Sequence, residues 1–408
     1  MRDSSGANRD ILRWVTWYPA PYWNARFAAL AAVPGLDFGA YFLSRSSPGH
    51  RWGHDTHLNE FRWALKPTML PMREPVGERP RSLPLWMVRD LRATLVTPYA
   101  GLDLVAGTLV RKALGGRVYF FTGNTIQDAR SWRPTVERTK RFLLSMCDGV
   151  LVSGRPQSEY VQKYVRAGEK VHTIGNPVDN KDFFRQHVSL APQRSEIRRR
   201  LGVQGPTVLY VGRLSREKGV AVLMQACAAL ETSSLPHLSV LVAGAGPEER
   251  RLRALAKELG VRTQFMGFRE GLELLELYEA ADVLVLPSSS EAWGLVVNEA
   301  MLFEKPVVVS DRVGAGPELV RVDENGYIFP TGRPDALAKV IHNVLHDPSR
   351  TRLMGKRSLE IIRHHDIDSW VERVLHAVLP RGSEAKTIPG VTRRRGGIPR
   401  GPRSAGCC

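Results

Sequence analysis

Residues 281–299 read ADVLVLPSSSEAWGLVVNE. The apolar run at the start of this segment predicts a buried strand, and the residues from Leu295 onward predict a helix. Glu291 lies in the intervening loop and Glu299 lies in the helix. Because eight helical residues rise about 12 Å, the two carboxylates can grip two parts of one elongated ligand rather than one reacting atom. Such a site lies outside the carboxyl end of a parallel strand, where Gly294 would let backbone N–H groups approach an anion.

The second half of the chain repeats this alternation of short apolar runs and helical patterns, which predicts a parallel sheet covered on both faces. The predicted strands are Thr207–Gly212, Leu238–Gly244, Thr263–Met266, Asp282–Pro287 and Pro306–Ser310. The predicted helices are Gly219–Leu230, Pro247–Leu259, Leu272–Ala280 and Leu295–Phe303, before a last α/β unit through Leu345.

The first half is similar but less regular. Its predicted strands are Ile11–Trp17, Asp37–Leu43, Val118–Thr122, Gly149–Ser153 and Lys170–Ile174, and its predicted helices are Trp23–Val33, Thr135–Cys147 and Gln157–Ala167. We expect a first domain over residues 1–185, a linker over 186–202 and a second domain over 203–365. A closing helix is expected over residues 366–380, and a disordered basic tail over 381–408.

The formal net charge of the 408-residue chain is +17, and it is unevenly distributed. Residues 1–200 carry 31 Lys and Arg against 17 Asp and Glu, and residues 381–408 carry 7 against 1. Nucleic acid and an anionic membrane surface are therefore both candidate partners. The alternative is a solvated basic surface with a disordered tail.

The sequence has no run of 18 apolar residues and no pattern of a signal peptide at its start, so neither a spanning helix nor secretion is expected. Cys147 and Cys227 are isolated in apolar segments and are predicted to be buried thiols. No cysteine pair has the spacing of a metal site, and a cytoplasmic location fits best.

A basic loop follows the strand Thr207–Gly212, with the sequence RLSREKG over residues 213–219. Arg213 would offer a planar fork to phosphate and Lys218 a point charge. The alternative is a solvated basic loop. Together with Glu291 and Glu299, however, this loop suits a nucleotide sugar, whose two hydroxyl-rich ends are separated by a diphosphate.

Four segments resemble, in order and spacing, the retaining glycosyltransferases of the large GT4 family, whose members have the GT-B fold. They are VGRLSREKG at 211–219, AGAGPE at 243–248, the Glu291/Glu299 pair and GAGPE at 314–318. The resemblance covers about residues 203–345. It implies an α/β protein of two Rossmann-like, doubly wound domains that face a cleft, with the donor nucleotide sugar held by the second domain.

The resemblance also implies roles for individual residues. Arg213 and Lys218, with Gly212 beside them, would bind the donor phosphates, Glu291 the hydroxyls of the transferred sugar and Glu299 the ribose. The backbone at Gly294 and Leu295 would touch phosphate or sugar, and Met266, Gly267 and Phe268 would border the base. Arg213, Lys218 and Glu291 form the expected catalytic set.

The implied reaction transfers a hexose with retention of the anomeric configuration. Fixed cations would stabilise the departing diphosphate, so no metal and no further cofactor is expected. Asp366 and Asp368 match a metal-binding Asp-x-Asp pattern, but Asp366 is better explained as a helix cap. His54 and His57 are better explained as surface residues than as metal ligands.

The first domain departs from the family pattern. Aromatic residues and Arg26 stand where many members have a glycine-rich loop. Tyr22 and Arg26 could therefore contact a sugar or an anionic acceptor, with ordinary packing as the alternative. Thr122 and Asn124 stand near the place of a family histidine and could supply its hydrogen bond.

The expected acceptor is a cell-envelope polysaccharide or a lipid-linked glycan, reached by an enzyme on the inner face of the membrane. The aromatic segment Leu85–Val96 suits docking on anionic lipid, with a core helix as the alternative. Two other functions stay open: a nucleotide-sugar epimerase or phosphorylase with the same fold, and a nucleic-acid-binding protein with a vestigial donor site. Nucleic acid is the less favoured partner.

Overall fold

The computed structural model describes residues 10–44, 60–65, 85–98, 102–123, 125, 134–165, 170–231 and 235–380. Within these residues the strands form two parallel sheets, one of seven strands and one of six. Helices cover both, as the alternation of apolar runs and helical patterns predicts.

The first sheet has the strand order β3-β2-β1-β4-β5-β6-β7. Its strands are β1 (Asp10–Thr16), β2 (Leu36–Phe42), β3 (Trp63–Leu65), β4 (Thr94–Thr97), β5 (Arg117–Thr122), β6 (Gly149–Val152) and β7 (Val171–Thr173). The accompanying helices are α1 (Pro21–Ala31), α2 (Leu102–Ala113), α3 (Pro134–Met146) and α4 (Arg155–Gln162). Because β1 and β4 are neighbours, the strand order reverses between them, and a crevice opens beyond their carboxyl ends.

The second sheet has the order β10-β9-β8-β11-β12-β13. Its strands are β8 (Thr207–Val211), β9 (Ser239–Ala243), β10 (Thr263–Gly267), β11 (Val283–Leu286), β12 (Val307–Ser310) and β13 (Gly326–Phe329). Its helices are α7 (Val220–Glu231), α8 (Glu249–Glu258), α9 (Gly271–Ala280), α10 (Leu295–Leu302), α11 (Gly316–Leu319), α12 (Pro334–Leu345) and α13 (Pro348–Ile362). Every residue of β8, β9, β11 and β12 is buried, which is typical of parallel strands covered on both faces. Here the order reverses between β8 and β11.

The chain passes between the domains twice. It leaves the first domain after β7, and after α13 it returns to that domain through α14 (Ile367–Val378). The side-chain amide of Asn180 donates to the carbonyl of Ile362 at 2.9 Å, so the two passages lie side by side. Trp370 of α14 is buried in the aromatic core of the first domain, against Trp14 at 5.6 Å between ring centroids.

The stretch expected to be a linker is helical. Residues 186–200 lie within α5 (Asn180–Leu190), a 3-10 turn and α6 (Arg194–Arg200), and a turn follows at 201–202. Arg194 and Arg198 of α6 donate to Asp282, which precedes β11, so these helices pack against the second domain. The low apolar content that suggested a linker reflects this charged contact.

The interpretation of Leu85–Val96 as a helix or a lipid-docking segment is wrong. The segment holds a 3-10 turn, Leu85–Met87, and then enters β4. All four residues of β4 are buried in the middle of the first sheet. Two of them are threonines, which pack well on a pleated surface, and Pro98 ends the strand.

Two smaller predictions are confirmed. Asp366 caps α14, since its carboxylate accepts from the amide of Ser369 at 2.8 Å. Cys147 and Cys227 are buried free thiols. His54, His57 and the tail over 381–408 lie outside the described residues. None of the helices that the structure describes is long and apolar enough to cross a membrane.

We expect Trp370→Ala to destabilise the first domain, although residue 370 follows the second domain in the chain. Truncating a buried tryptophan costs roughly 3–5 kcal/mol, and the ring of Trp370 lies among those of Trp14 and Trp23. Thermal unfolding and amide exchange of α1 measure the effect, and Trp370→Phe should lose less. Unchanged exchange in α1 would contradict this packing.

Candidate functional site

The loops after β8 and β11 lie side by side where the second sheet reverses its strand order. The amide of Ser289 donates to the carbonyl of Glu217 at 2.7 Å, which joins the two loops through their backbones. Lys218 Nζ and Glu291 Oε2 form an ion pair at 2.5 Å, and both side chains are about four-fifths buried. The predicted cation and the first predicted carboxylate therefore belong to one site.

The conformation of Gly219 permits this contact. Its φ is +68°, and an added Cβ would lie 2.1 Å from the carbonyl oxygen of Pro287. A side chain at this position would thus separate the loop after β8 from the loop after β11. The VGRLSREKG segment therefore has to end in glycine, because the backbone of the loop after β11 lies too close for a side chain.

The second glycine-rich segment supports the first. The amide of Leu214 donates to the carbonyl of Ala245 at 3.0 Å, and the amide of Glu248 donates to the carbonyl of Leu214 at 3.0 Å. The hydroxyl of the buried Tyr210 donates to the carbonyl of Arg213 at 2.9 Å. These bonds fix the backbone around Gly212 and leave the Arg213 side chain exposed at the mouth of the crevice.

The start of α10 offers backbone donors to an anion. Gly294 is the N-cap, with φ +91°, and no side chain caps this helix end. The first amides of a helix have no partner within the helix, and Leu295 carries the first of them. The helix start is therefore suited to a phosphate group.

Glu299 lies one turn into α10 and is held by a residue that the sequence did not point to. The hydroxyl of Tyr278 donates to Glu299 Oε2 at 2.5 Å. Burial raises the pKa of Glu299 above its ordinary value, although the Tyr278 hydrogen bond opposes this shift. Burial also raises the pKa of Tyr278, and the neighbouring carboxylate adds to the shift. The sequence around Tyr278 in α9 contains no motif that would link it to Glu299, so only the structure could reveal this contact.

The segment predicted to border a base lies at the end of β10. The carbonyl of Gly267 accepts from the amide of Gly244 at 2.7 Å, which joins this segment to the glycine-rich loop after β9. Met266 is half-buried, whereas the ring of Phe268 is 46% exposed and free to contact a planar group. The carboxyl edge of the second sheet thus carries aromatic, cationic and acidic groups in succession.

The first domain has a cavity of about 250 Å³ at its own point of strand reversal, beyond β1 and β4. Tyr22 and Thr122 both line it, as do Trp17, Tyr18, Trp23 and Phe121. Its aromatic walls suit the apolar face of a ring that carries hydroxyls. Asn124, predicted near Thr122, lies outside the described residues.

Arg26 does not reach this cavity, which corrects the expectation that it binds an acceptor. Its side chain is fully buried, and Nε donates to the carbonyl of Pro177 at 3.0 Å. The guanidinium lies 4.9 Å from the ring centre of Trp23 and 5.8 Å from that of Trp370. Burial lowers the pKa of Arg26 to about 9. Arg26 therefore packs inside the first domain, which was the alternative interpretation.

Within the described ranges, no three His, Cys, Asp or Glu side chains gather in a way that could hold a metal ion. Asp368 forms an exposed ion pair with Lys181 at 2.9 Å and lies on the helix that Asp366 caps.

Comparisons with known proteins agree with the resemblance of the second domain. Residues 193–360 match the family described as glycosyl transferases group 1. A D-inositol 3-phosphate glycosyltransferase of Corynebacterium efficiens is 35% identical over 218 residues, which are 51% of this chain and 50% of that protein. An uncharacterized glycosyltransferase of Methanocaldococcus jannaschii is 33% identical over 207 residues, or 49% of this chain and 51% of that protein. The chain thus spans about half the length of these curated relatives.

Solved structures confirm the fold prediction. The HepE protein of Anabaena, solved with UDP and glucose, has a TM-score of 0.70 at 19% identity, covering 90% of this chain and 99% of that one. WaaG, a glycosyltransferase involved in lipopolysaccharide biosynthesis, has a TM-score of 0.64 at 17% identity and the same coverage. The chain has the GT-B fold, with two Rossmann-like domains.

Gly219→Ala should cost more stability than Gly332→Ala. Both glycines are left-handed, with φ +68° and +74°, but an added Cβ meets no atom within 4 Å at residue 332. The left-handed conformation alone costs an alanine roughly 1–2 kcal/mol, and only residue 219 adds the clash with Pro287. Urea unfolding of both variants measures the difference, and equal losses would show that the loop can move away without cost.

Glu299→Gln should stabilise the ligand-free protein near neutral pH. The glutamine can still accept from Tyr278, but it removes a charge from a buried site. Because burial raises the pKa of Glu299, the stability that its protonated form provides is fully present at pH values below the ordinary pKa of a carboxyl group. That stability is lost as the pH rises through the pKa of Glu299 in the folded protein.

The difference in melting temperature between Glu299→Gln and the unmodified protein should therefore shrink towards pH ~4. Glu270→Gln, at the exposed start of α9, is the control and should show a smaller effect. A difference that grows on acidification would contradict the raised pKa.

Proposed function

We propose, from the match of residues 193–360 to the glycosyl transferases group 1 family and from the geometry of the site, that this chain is a retaining hexosyltransferase that uses a nucleotide sugar. The Lys218–Glu291 ion pair carries the proposal. It holds a cation and a sugar-binding carboxylate together at the point of strand reversal, where ligands of doubly wound sheets bind. HepE of Anabaena, which shares the fold, was solved with UDP-glucose as well.

The donor lies along the carboxyl edge of the second sheet. Met266 to Phe268 border the base, and Glu299 accepts hydrogen bonds from the ribose hydroxyls. The diphosphate meets Arg213, Lys218 and the free amides at the start of α10. Glu291 uses one oxygen for Lys218 and presents the other to the hexose.

Charge stabilisation is the main chemical contribution of these residues. As the bond to the sugar breaks, negative charge grows on the diphosphate, and cations held in place beforehand stabilise it without reorganisation. The ion pair with Glu291 holds Lys218 in position before the donor arrives. In this scheme no metal is required. The acceptor hydroxyl attacks from the face that the diphosphate leaves, and a diphosphate oxygen takes its proton.

The acceptor hydroxyl enters from the first domain, through the aromatic cavity beside Tyr22 and Thr122. A cell-envelope polysaccharide or lipid-linked glycan suits these walls, because its rings offer both apolar faces and hydroxyls. The basic first half of the chain supports association with the inner face of an anionic membrane. On α3, the exposed Phe142, Arg138 and Arg141 offer one surface for this contact.

Arg213→Ala and Lys218→Ala should each lower turnover by about a hundredfold or more, as the loss of a group that stabilises developing charge does. A thermal-shift screen of nucleotide sugars, beginning with UDP-glucose, first identifies the donor. Release of the nucleoside diphosphate in the presence of lipid-linked glycans then measures turnover. The control is Arg216→Ala, an exposed arginine in the same loop.

Turnover should also survive treatment with a chelator. Complete loss of activity on chelation would exclude departure stabilised by Arg213 and Lys218 alone. Epimerised donor without any acceptor would instead favour an epimerase. An equal loss in Arg216→Ala would show that general positive charge, rather than the position of Arg213 and Lys218, supports the reaction.

A further inference from the structure

The fourth segment of the resemblance, GAGPE over residues 314–318, has no role in the donor site described above. It follows β12 and enters α11, whose start faces the first domain. The carbonyl of Glu291 accepts from the amide of Gly314 at 3.0 Å, and the carbonyl of Trp293 accepts from the amide of Ala315 at 3.0 Å. The backbone of this segment therefore holds the donor loop, residues 287–294, in place through these two hydrogen bonds.

The carboxylate of Glu318 reaches across the cleft. Its Oε1 accepts from the backbone amide of Arg155, the first residue of α4, at 2.7 Å. The N-cap of α4 is Gly154, which has no side chain to cap the helix. A side chain of the second domain thus performs the capping that α4 lacks, at the helix end where a negative charge is favourable.

Gln157 makes a second contact, in the opposite direction. This fully buried residue of α4 donates from Nε2 to the carbonyl of Ala292, which lies between Glu291 and Gly294 in the donor loop. Its Oε1 has no hydrogen-bond partner among the described residues. A Cβ at Gly314 would lie 2.0 Å from the Ala292 carbonyl oxygen and 2.9 Å from Gln157 Nε2. The glycine at 314 is required for the two domains to meet here.

The contact is enclosed on one side by the ring of Trp293. A Cβ added to Gly154 would lie 2.9 Å from this ring and 3.0 Å from Glu318 Cγ. Trp293 Nε1 donates to Asn298 Oδ1 at 2.9 Å, and Asn298 Nδ2 donates to the carbonyl of Asn176, before the first passage between the domains, at 3.2 Å. Trp293 thus lies between two contacts with the first domain, that of Ala292 with Gln157 and that of Asn298 in α10 with Asn176.

We propose that Gln157 is a positioning residue for the donor loop and that, with the Glu318–Arg155 contact, it forms a latch made only when the domains close. This inference rests on the proposed function. Gln157 fixes the Ala292 carbonyl, and through it the Glu291 carboxylate that touches the hexose. Glu318 holds the start of α4 against that loop. Closure thereby aligns the donor loop and brings the aromatic cavity of the first domain to the donor.

Amide exchange of the ligand-free full chain tests the contact itself. In Glu318→Ala, exchange at the start of α4 should rise about tenfold, since its first amide loses a protein acceptor and opening becomes easier. Glu318→Gln keeps an oxygen for this amide and should restore slow exchange. The control is Glu159→Ala on the same helix, where the carboxylate accepts from the Arg155 side chain of its own domain. Equal exchange in Glu318→Ala and the unmodified protein would overturn the latch.

Release of UDP from UDP-glucose tests the positioning role. Gln157→Met and Glu318→Ala should each lower kcat about tenfold, while the Kd for UDP, which the second domain binds, stays within about twofold. Glu318→Gln should recover most of kcat. A kcat equal to that of the unmodified protein, or a Kd for UDP that rises in step with the fall in kcat, would overturn the proposal. If the unmodified chain releases no UDP, the proposed donor fails, and amide exchange still decides whether the latch exists.

Discussion

The ion pair between Lys218 and Glu291 is the interaction on which the site depends. Parallel strands end at the same edge of a sheet, so β8 and β11 deliver their loops to one place only because they are neighbours. The ion pair then fixes which side chains of those loops meet. It is about four-fifths buried, and a buried charge left alone would be costly. The two residues therefore hold each other in the geometry that the proposed binding of a diphosphate and a sugar requires.

Much of the second domain could be predicted from the sequence because its strands are continuous apolar runs bounded by glycine or proline. Thr207–Val211 and Val283–Leu286 are buried on both faces, and such strands have few alternatives once helices flank them. The placement of Lys218 beside Glu291 also followed, since residues after neighbouring parallel strands converge. In the first domain, β4 was missed because its four residues follow a polar turn and a 3-10 segment. A strand that short has little pattern of its own.

Contacts between distant side chains could not be predicted. Tyr278 reaches Glu299 from another helix, and nothing in the local sequence of either residue marks the other. The same holds for Gln157, whose partner Ala292 lies 135 positions away in the other domain. Arg26 illustrates the opposite error. A cation among aromatic residues suggested a ligand-binding group, yet its guanidinium donates to the carbonyl of Pro177 inside the protein. Sequence patterns give chemistry and spacing, whereas burial decides whether a group faces ligand or core.

The double passage of the chain between its domains limits how they can move. Two connections lie side by side, joined by Asn180 and Ile362, and Arg26 anchors the first of them at Pro177 from within the aromatic core. Two rigid bodies that share two adjacent attachment points swing about the line through those points and cannot slide or twist freely. The opening of the cleft is therefore close to a single angular coordinate, and the parts of each domain that lie farther from this axis travel a longer arc for each degree of rotation.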